Sequence, residues 1–245
     1  LQDVITRTNA GFAPGVHTEL RAQVNRQRGV SMQNGTIIGN TRVDVSGVSA
    51  RVYKNGVYGF SSMAELDEDA VKAVLRAATE NAEFMDRHIN KGKPMLPAVD
   101  TGSAPDWTEP SDPQQKLYVD AARQLDDYIA RKYPNLASRM VAANSRSIEK
   151  LLVVSDGNPV HTVIPGSFMY AGLTAITPDG VPVELFQPFG GYGSFDTAFA
   201  DPSAYYDKVD ALYERLMKKR EGVYAEAGMK TIILGGMLCG MLAHE

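Results

Sequence analysis

The chain has 245 residues, of which 44% are hydrophobic and 22% charged, a composition typical of globular proteins. Its 25 basic and 29 acidic residues give a net charge of −4, and no Lys/Arg stripe marks a nucleic-acid surface, so we expect no direct nucleic-acid partner. Cys239 is the only cysteine, which excludes an intramolecular disulfide framework. No apolar run reaches the roughly 18 to 20 residues that span a bilayer. The chain begins without a signal-peptide pattern, so we expect a cytoplasmic protein without membrane contact; a signal removed upstream of Leu1 stays an open alternative.

Residues 18–60 are predicted to form an antiparallel meander. Asn34-Gly35 and Asn55-Gly56 have the composition of tight hairpin turns, and the intervening residues are rich in valine. Residues 67–89 then change to helical spacing, with acidic residues at the start, where the positive end of a helix favours them. The predicted buried face of this helix consists of Val71, Val74, Leu75, Ala78, Ala82 and Met85.

Residues 93–110 are predicted to be a linker, because prolines and glycines interrupt every periodic pattern there. The linker separates an N-terminal α+β domain, residues 1–92, from a middle α+β domain, residues 111–227. Ser111 and Gln114 have the spacing of a capping box, which predicts a second helix. Its predicted apolar face consists of Leu117, Ala121, Leu125, Tyr128 and Ile129.

The β pattern returns after the second helix as short runs separated by Asp-Gly turns. Asp201-Pro202 then predicts the start of a third helix, because proline suits the first helical position. The fold class that follows is α+β, with antiparallel sheets packed with helices in two lobes. The predicted strands are 139–143, 148–154, 160–164, 168–176, 181–187 and Thr231–Leu234, and the third helix presents Tyr205, Val209, Leu212, Leu216 and Val223.

His244-Glu245 is the candidate catalytic and metal-binding motif. A zinc peptidase places two imidazoles on one helix face and a carboxylate beside them, and the carboxylate takes the proton of a metal-activated water. The apolar residues at 237, 238, 241 and 242 predict that the pair lies at the exit of a buried helix after a strand. On spacing alone, a solvated helix end is the more common explanation of such a pair. Cys239 would point about 140° away from His244 on a helix, so we interpret it as a small core residue.

The remaining polar motifs carry weaker signals. Gly190–Gly193 lacks the residues of a phosphate-binding loop and is interpreted as a flexible loop. His17 and His88 are predicted to be surface residues, and His161 a strand residue of undefined orientation.

The run GVSARVYKNGVYGFSS at residues 47–62 is similar to a glycine-rich, arginine-containing motif of the TldD/PmbA family. GMKTIIL at residues 228–234, followed by GMLAHE at residues 240–245, resembles the entry into the family's HE-x-x-x-H motif. The region between them matches in the order of its elements more than in its residues.

The resemblance implies a zinc peptidase or peptide-maturation protein of the kind once described as modulators of DNA gyrase. It makes His244 the first zinc ligand and Glu245 the catalytic general base, while the second histidine and a later cysteine ligand are not in this sequence. Residues 228–245 would be the start of a C-terminal metallopeptidase domain, truncated inside the motif, so we expect this chain alone to be inactive.

The resemblance also implies unfolded or extended peptides as substrates. The family forms dimers in which a TldD-type subunit carries the metal and a PmbA/TldE-type subunit lacks the motif, so we expect a homo- or heterodimer. Two alternatives stay open: a non-catalytic PmbA/TldE-like partner, and an α+β peptide-binding module with exposed strand edges.

Overall fold

The computed structural model describes residues 1–4, 11–89, 91–97, 102 and 107–245. Its strands form one six-stranded antiparallel sheet in the order β3-β2-β1-β4-β5-β6. Helices pack against this sheet, so the predicted α+β class is confirmed. The strands are β1 (His17–Gln33), β2 (Thr36–Lys54), β3 (Val57–Met63), β4 (Ser138–Val154), β5 (Val160–Ile176) and β6 (Pro182–Tyr192).

The two hairpin turns lie where the sequence predicts them. Asn34 and Gly35 have φ values of 49° and 82°, and Asn55 and Gly56 have values of 49° and 93°. Left-handed backbone is unfavourable for most residues, but asparagine tolerates it and glycine adopts it freely. These residues therefore fix the register of the β1–β2–β3 meander.

β4 and β5 are each one long strand where the sequence predicts two shorter ones. The polar residues 144–147 continue β4, because they lie beside charged side chains of the sheet rather than in a turn. Pro165 lies within β5, and its carbonyl accepts the backbone N–H of Gly193 at 3.0 Å. In an antiparallel pair the N–H and C=O of one residue face the same neighbour, so Pro165 costs no bond to β4.

The helices begin close to their predicted positions, with one exception in the capping. The side chain of Asp67 accepts the N–H of Ala70 at 2.8 Å and caps the first helix. The predicted capping box at Ser111 is wrong, because the second helix begins at Gln115 and Ser111 instead faces Asp196. The helices are α1 (Glu68–Ile89), α2 (Gln115–Lys132), α3 (Phe195–Ala198), α4 (Tyr206–Arg220), which follows a 3-10 turn at Pro202–Tyr205, and α5 (Gly236–His244).

The helices cover one face of the sheet, which we call the inner face. Two hydrophobic clusters lie under them, and the strand residues in both clusters belong to the inner face only. One cluster joins α1 to β1, β2 and β4, and the other joins α2 and α4 to β1, β4, β5 and β6. The opposite face, the outer face, is left open by the helices of the described residues.

The predicted domain boundaries are crossed by the sheet. β1, from the predicted N-terminal domain, pairs with β4, from the predicted middle domain, along the whole span from Glu19 to Gln33. The division into domains at 93–110 stays a prediction. Residues 98–101 and 103–106 of that linker lie outside the described residues. Within the described chain, no helix has both the length and the apolar character needed to cross a membrane.

The last segment differs most from its prediction. Thr231–Leu234 forms no strand, and α5 has no buried residue, so the predicted buried helix is wrong. Cys239 is exposed rather than part of the core, and Val223 is 93% exposed and lies beyond the end of α4. Apolar periodicity predicted burial here, but the described residues provide no surface against which these side chains pack.

Candidate functional site

His244 and Glu245 lie at the exposed end of α5. His244 is the last residue of the helix, and the backbone N–H of Glu245 donates to the carbonyl of Met241 at 3.3 Å. The sulfur of Cys239 faces the carbonyl of Leu234 at 3.6 Å. The structure thus places the predicted pair side by side on a solvent-exposed helix end.

The predicted zinc needs more ligands than this pair supplies. A catalytic zinc is held by three protein ligands, and a structural one by four. Across residues 1–4, 11–89, 91–97, 102 and 107–245, no three His, Cys, Asp or Glu side chains lie close enough together to hold a metal ion. The residues that the structure describes therefore do not fit a zinc ion by themselves, and His244 is the one predicted ligand among them.

The other histidines have different environments. His88 is exposed, as predicted, and its Nδ1 lies 2.7 Å from the carbonyl of Phe84. The prediction for His17 is wrong: only 3% of it is exposed, because it begins β1 between Glu19 and Asp156. His161 points to the inner face, where 2% of its side chain is exposed.

His161 belongs to a polar belt across the inner face, between the two hydrophobic clusters. Its Nε2 lies 3.3 Å from Glu149, and its ring packs against that of Trp107 at 4.5 Å between centroids. Arg26 donates to Glu149 at 2.8 Å. Burial raises the pKa of Glu149, but the hydrogen bonds from Arg26 and His161 together with nearby positive charge outweigh it and leave the pKa below its usual value.

The second part of the belt surrounds Arg28. The Nε of Arg28 donates to Asp112 at 2.8 Å and its Nη1 donates to Asp44 at 2.5 Å, while Arg42 donates to Asp112 at 2.6 Å. The hydrogen bond from Arg28 lowers the pKa of Asp112. Because these charged groups are paired with one another, the belt holds the segment before α2 on the sheet and offers no unpaired group for catalysis.

The outer face carries two adjoining cavities near β3. They have volumes of about 110 and 320 Å³, and both are lined by Arg21, Ser49 and Phe60. We call them together the outer groove. Ligand pockets usually measure roughly 300 to 1,000 Å³, so the outer groove has room for a few side chains rather than for a large cofactor. Its further lining residues are Glu19, Arg51 and Leu152 at one end and Gln23, Asn25, Val45, Ser46, Gly47, Val48, Ser62 and Met63 at the other.

Arg51, from the family-like run, is held rigidly at the rim of the outer groove. Its guanidinium donates to both carboxylate oxygens of Glu19, the closest at 2.7 Å, and lies over the ring of Tyr58 at 5.5 Å. Burial raises the pKa of Glu19, but the hydrogen bonds and charges of Arg51 and His17 together outweigh it and leave the pKa below its usual value. Two parallel bonds of this kind fix the plane of the guanidinium as well as its position.

A free strand edge adjoins the outer groove. β2 pairs with β3 only over Val48–Lys54, so the side of residues 36–47 that faces away from β1 has no strand partner among the described residues. β3 ends at Met63, next to Gly47 of β2. There is no room for a side chain at Gly47, because an added Cβ would lie 2.8 Å from the carbonyl oxygen of Met63. Free edges of this kind are the places where an additional strand can pair with a sheet.

The polar belt and the outer groove were not predicted from the sequence. Arg26 and Arg28 fall at the same alternating positions as buried Leu20, Ala22 and Val30, and such charges within a buried face were the available signal. The outer groove gives no such signal, since it depends on how β3, β2, β1 and β4 lie side by side in the sheet. Gly190–Gly193 proves to be largely the end of β6 rather than a loop.

Comparison with known proteins supports the family resemblance. Residues 18–82 match the family model described as PmbA/TldA metallopeptidase domain 1. This segment contains the run at 47–62 from which the resemblance was inferred, and the resemblance to the TldD/PmbA family is confirmed. Among curated protein sequences, none matches the chain.

Three solved structures share the fold. TldE from Thermococcus kodakarensis has 15% identity and a TM-score of 0.63 over 90% of this chain and 47% of its own. A putative modulator of DNA gyrase from Bacteroides thetaiotaomicron has 11% identity and a TM-score of 0.62, with coverage of 89% and 48%. Another from Thermotoga maritima has 16% identity and a TM-score of 0.56, with coverage of 76% and 42%. The chain thus spans less than half the length of each, and at these identities the likeness concerns the fold.

Proposed function

We propose that the natural protein containing this chain is a TldD-like zinc-dependent peptidase subunit that acts on unfolded or extended peptides. The observation that carries the proposal is the His244-Glu245 pair at a helix end, in a chain whose residues 18–82 match a metallopeptidase-family domain. In this proposal His244 is the first zinc ligand and Glu245 is the general base. The remaining ligands lie outside the described residues.

The exposure of α5 supports this assignment. His244 and Glu245 are both open to solvent and make no side-chain hydrogen bond or ion pair in the described residues, so neither is committed to another structural role. An exposed imidazole keeps both ring nitrogens available for a ligand or an orienting partner. The proposal also includes a dimer with a second family subunit and, because Cys239 is the only cysteine, a cytoplasmic location.

The alternative is a non-catalytic PmbA/TldE-like partner that binds peptides. Its support is the fold shared with TldE of Thermococcus kodakarensis over 90% of this chain. The free edge of β2 beside the outer groove suits the binding of an extended peptide without any metal. The His-Glu pair argues for the catalytic subunit, since the partner type lacks the motif.

Cleavage of an unfolded polypeptide by the purified natural protein tests the proposal. Glu245→Gln should abolish cleavage and leave the zinc content unchanged, because the amide cannot accept the proton of water. Glu226→Gln, an equally exposed change in the same segment, should have no effect. Undiminished cleavage by Glu245→Gln would contradict the assigned role. Absence of cleavage by the wild type, together with substoichiometric zinc, would favour the partner role.

A further inference from the structure

The outer face has a charge opposite to that of the whole chain. Alternation along the strands places Arg21, Arg51, Arg146 and Lys150 on this face, against Glu19 and Glu184. The chain as a whole has a net charge of −4. A basic face on an acidic protein attracts anionic partners and repels a second copy of itself.

Three of these cations are free to bind. Arg51 is paired with Glu19. Arg21, Arg146 and Lys150 form no ion pair with any residue that the structure describes, and the two arginines are exposed. Arg21 also lines both cavities of the outer groove. Unpaired cations at a concave surface are the groups that a negatively charged ligand would engage.

The spacing of the free cations suits an extended polypeptide. Arg21 of β1 lies opposite Leu152 of β4. Measured along β4, the three cations therefore lie at the levels of residues 146, 150 and 152. Strand residues rise by about 3.3 Å each, which spreads these rows over about 20 Å. An extended segment that lies along the strands would present carboxylates at i, i+4 and i+6, all on one side of its backbone.

The residues between the free cations on β1 and β4 are aliphatic, whereas exposed aromatic residues of the outer face, among them Phe60 and Tyr170, lie on the flanking strands β3 and β5. Ile148 lies between Arg146 and Lys150, and Leu152 follows next to Arg21. Surfaces that bind single-stranded nucleic acid stack bases on aromatic rings among their cations. Aliphatic side chains in these positions instead suit the apolar residues of a polypeptide.

We propose that the outer face of the sheet, with Arg21, Arg146 and Lys150 as its anchors, is a docking surface for an extended acidic polypeptide segment. The apolar residues of that segment would contact Ile148 and Leu152, and its flank would reach the outer groove. The surface requires no metal, so this inference stands independently of the proposed peptidase.

Binding of labelled peptides to the 245-residue chain tests the surface. The probe is a fluorescein-labelled peptide of twelve residues with Glu at positions 3, 7 and 9, Val at position 5 and Thr elsewhere, measured by fluorescence anisotropy against the same peptide with Lys for every Glu. The acidic peptide should bind, and added salt should weaken it because exposed charges are screened. The double variant R21Q/K150Q should weaken binding about fivefold or more, since each exposed ion pair contributes up to about 1 kcal/mol.

The matched control is R76Q/R123Q, which removes the same charge from exposed positions on α1 and α2. It should leave binding unchanged, and circular dichroism should show all variants folded; Arg21→Gln and Lys150→Gln are also measured singly. Equal affinity for the Lys peptide, or an unchanged affinity of both single variants and the double variant, would overturn the proposal. Tighter binding of an oligothymidine than of the acidic peptide would assign the surface to nucleic acid instead. Concentration-dependent dimerisation that is lost in R21Q/K150Q would assign it to a second copy.

Discussion

Arg28 shows how single residues connect the segment before α2 to the sheet. It is 4% exposed, and a buried charge is tolerated only when hydrogen-bonded and paired. Its partner Asp112 precedes α2, whereas Asp44 lies on β2. The charge of Arg28 therefore depends on carboxylates from two distant parts of the sequence, which residue-by-residue interpretation could not bring together.

Asp112→Asn should destabilise the protein by about 2 kcal/mol, because charge-assisted hydrogen bonds contribute about 1.5 to 3 kcal/mol and Arg28 keeps only Asp44 as a charged partner. Chemical denaturation at neutral pH measures the difference. Asp120→Asn, an exposed carboxylate on α2 paired only with Lys116, should change the free energy of unfolding far less. Equal losses in the two variants would contradict a special role for Asp112.

The same carboxylate predicts a pH dependence. The hydrogen bond from Arg28 lowers the pKa of Asp112 in the folded protein below its ordinary value of 3.8. A depressed pKa stabilises the fold fully above pH 3.8, and the stabilisation is lost as the pH falls through the folded pKa. Denaturation curves recorded at decreasing pH should therefore show a steeper loss for the wild type than for Asp112→Asn. Parallel pH profiles would refute this coupling.

Gly59 lies where the backbone of α1 packs closely against β3. A Cβ there would lie 2.0 Å from the carbonyl oxygen of Ala78 and 2.3 Å from the nitrogen of Ala82. Gly59→Ala should thus cost about 3 kcal/mol, because the backbone of α1 must move. Gly191→Ala, with nothing within 4 Å of the added Cβ, should be nearly neutral in thermal melting. Similar melting temperatures for the two variants would contradict this packing.

At the scale of elements, local signals predicted the first part of the sheet well and the end of the chain poorly. The Asn-Gly turns specify their own conformation, and α1 shows its buried face in its spacing. The polar residues 144–147 were interpreted as a break because only the neighbouring strand reveals that they lie beside Arg26 and Arg28. Residues 231–242 are apolar without a described surface to pack on, so burial could not be inferred from hydropathy there.

α5 gives a prediction that belongs to this scale. It has nine residues and no buried side chain, and isolated helices shorter than about 12 to 15 residues are marginally stable. In hydrogen exchange followed by mass spectrometry, its amides should exchange at the earliest time points, while those of β1 and β4 stay protected. Protection of α5 comparable to that of β1 would show that the helix is packed in solution.

For the whole molecule, one sheet joins the two segments that the sequence divides at residues 93–110. β1 lies between β2 and β4, so separating the segments would break the β1–β4 ladder and expose the polar belt. A protease site introduced within residues 91–97 should therefore yield two pieces that elute together in gel filtration. Separation into two independently folded pieces would contradict this view and support the predicted domain boundaries.

The family resemblance was predictable from the sequence because it depends on short contiguous runs, residues 47–62 and 228–245. The metal site stays a prediction, because zinc ligands come together from distant positions and His244 is the one proposed ligand among the described residues. The outer groove depends on four strands and was accessible only through the fold.

Zinc content tests the central claim most directly. In the purified natural protein, elemental analysis should find about one zinc ion per subunit. His244→Ala should lose that zinc, whereas His88→Ala, which removes an exposed histidine from α1, should retain it. A wild-type protein without zinc, or a His244→Ala variant with wild-type zinc content, would contradict the assignment of His244 as a metal ligand.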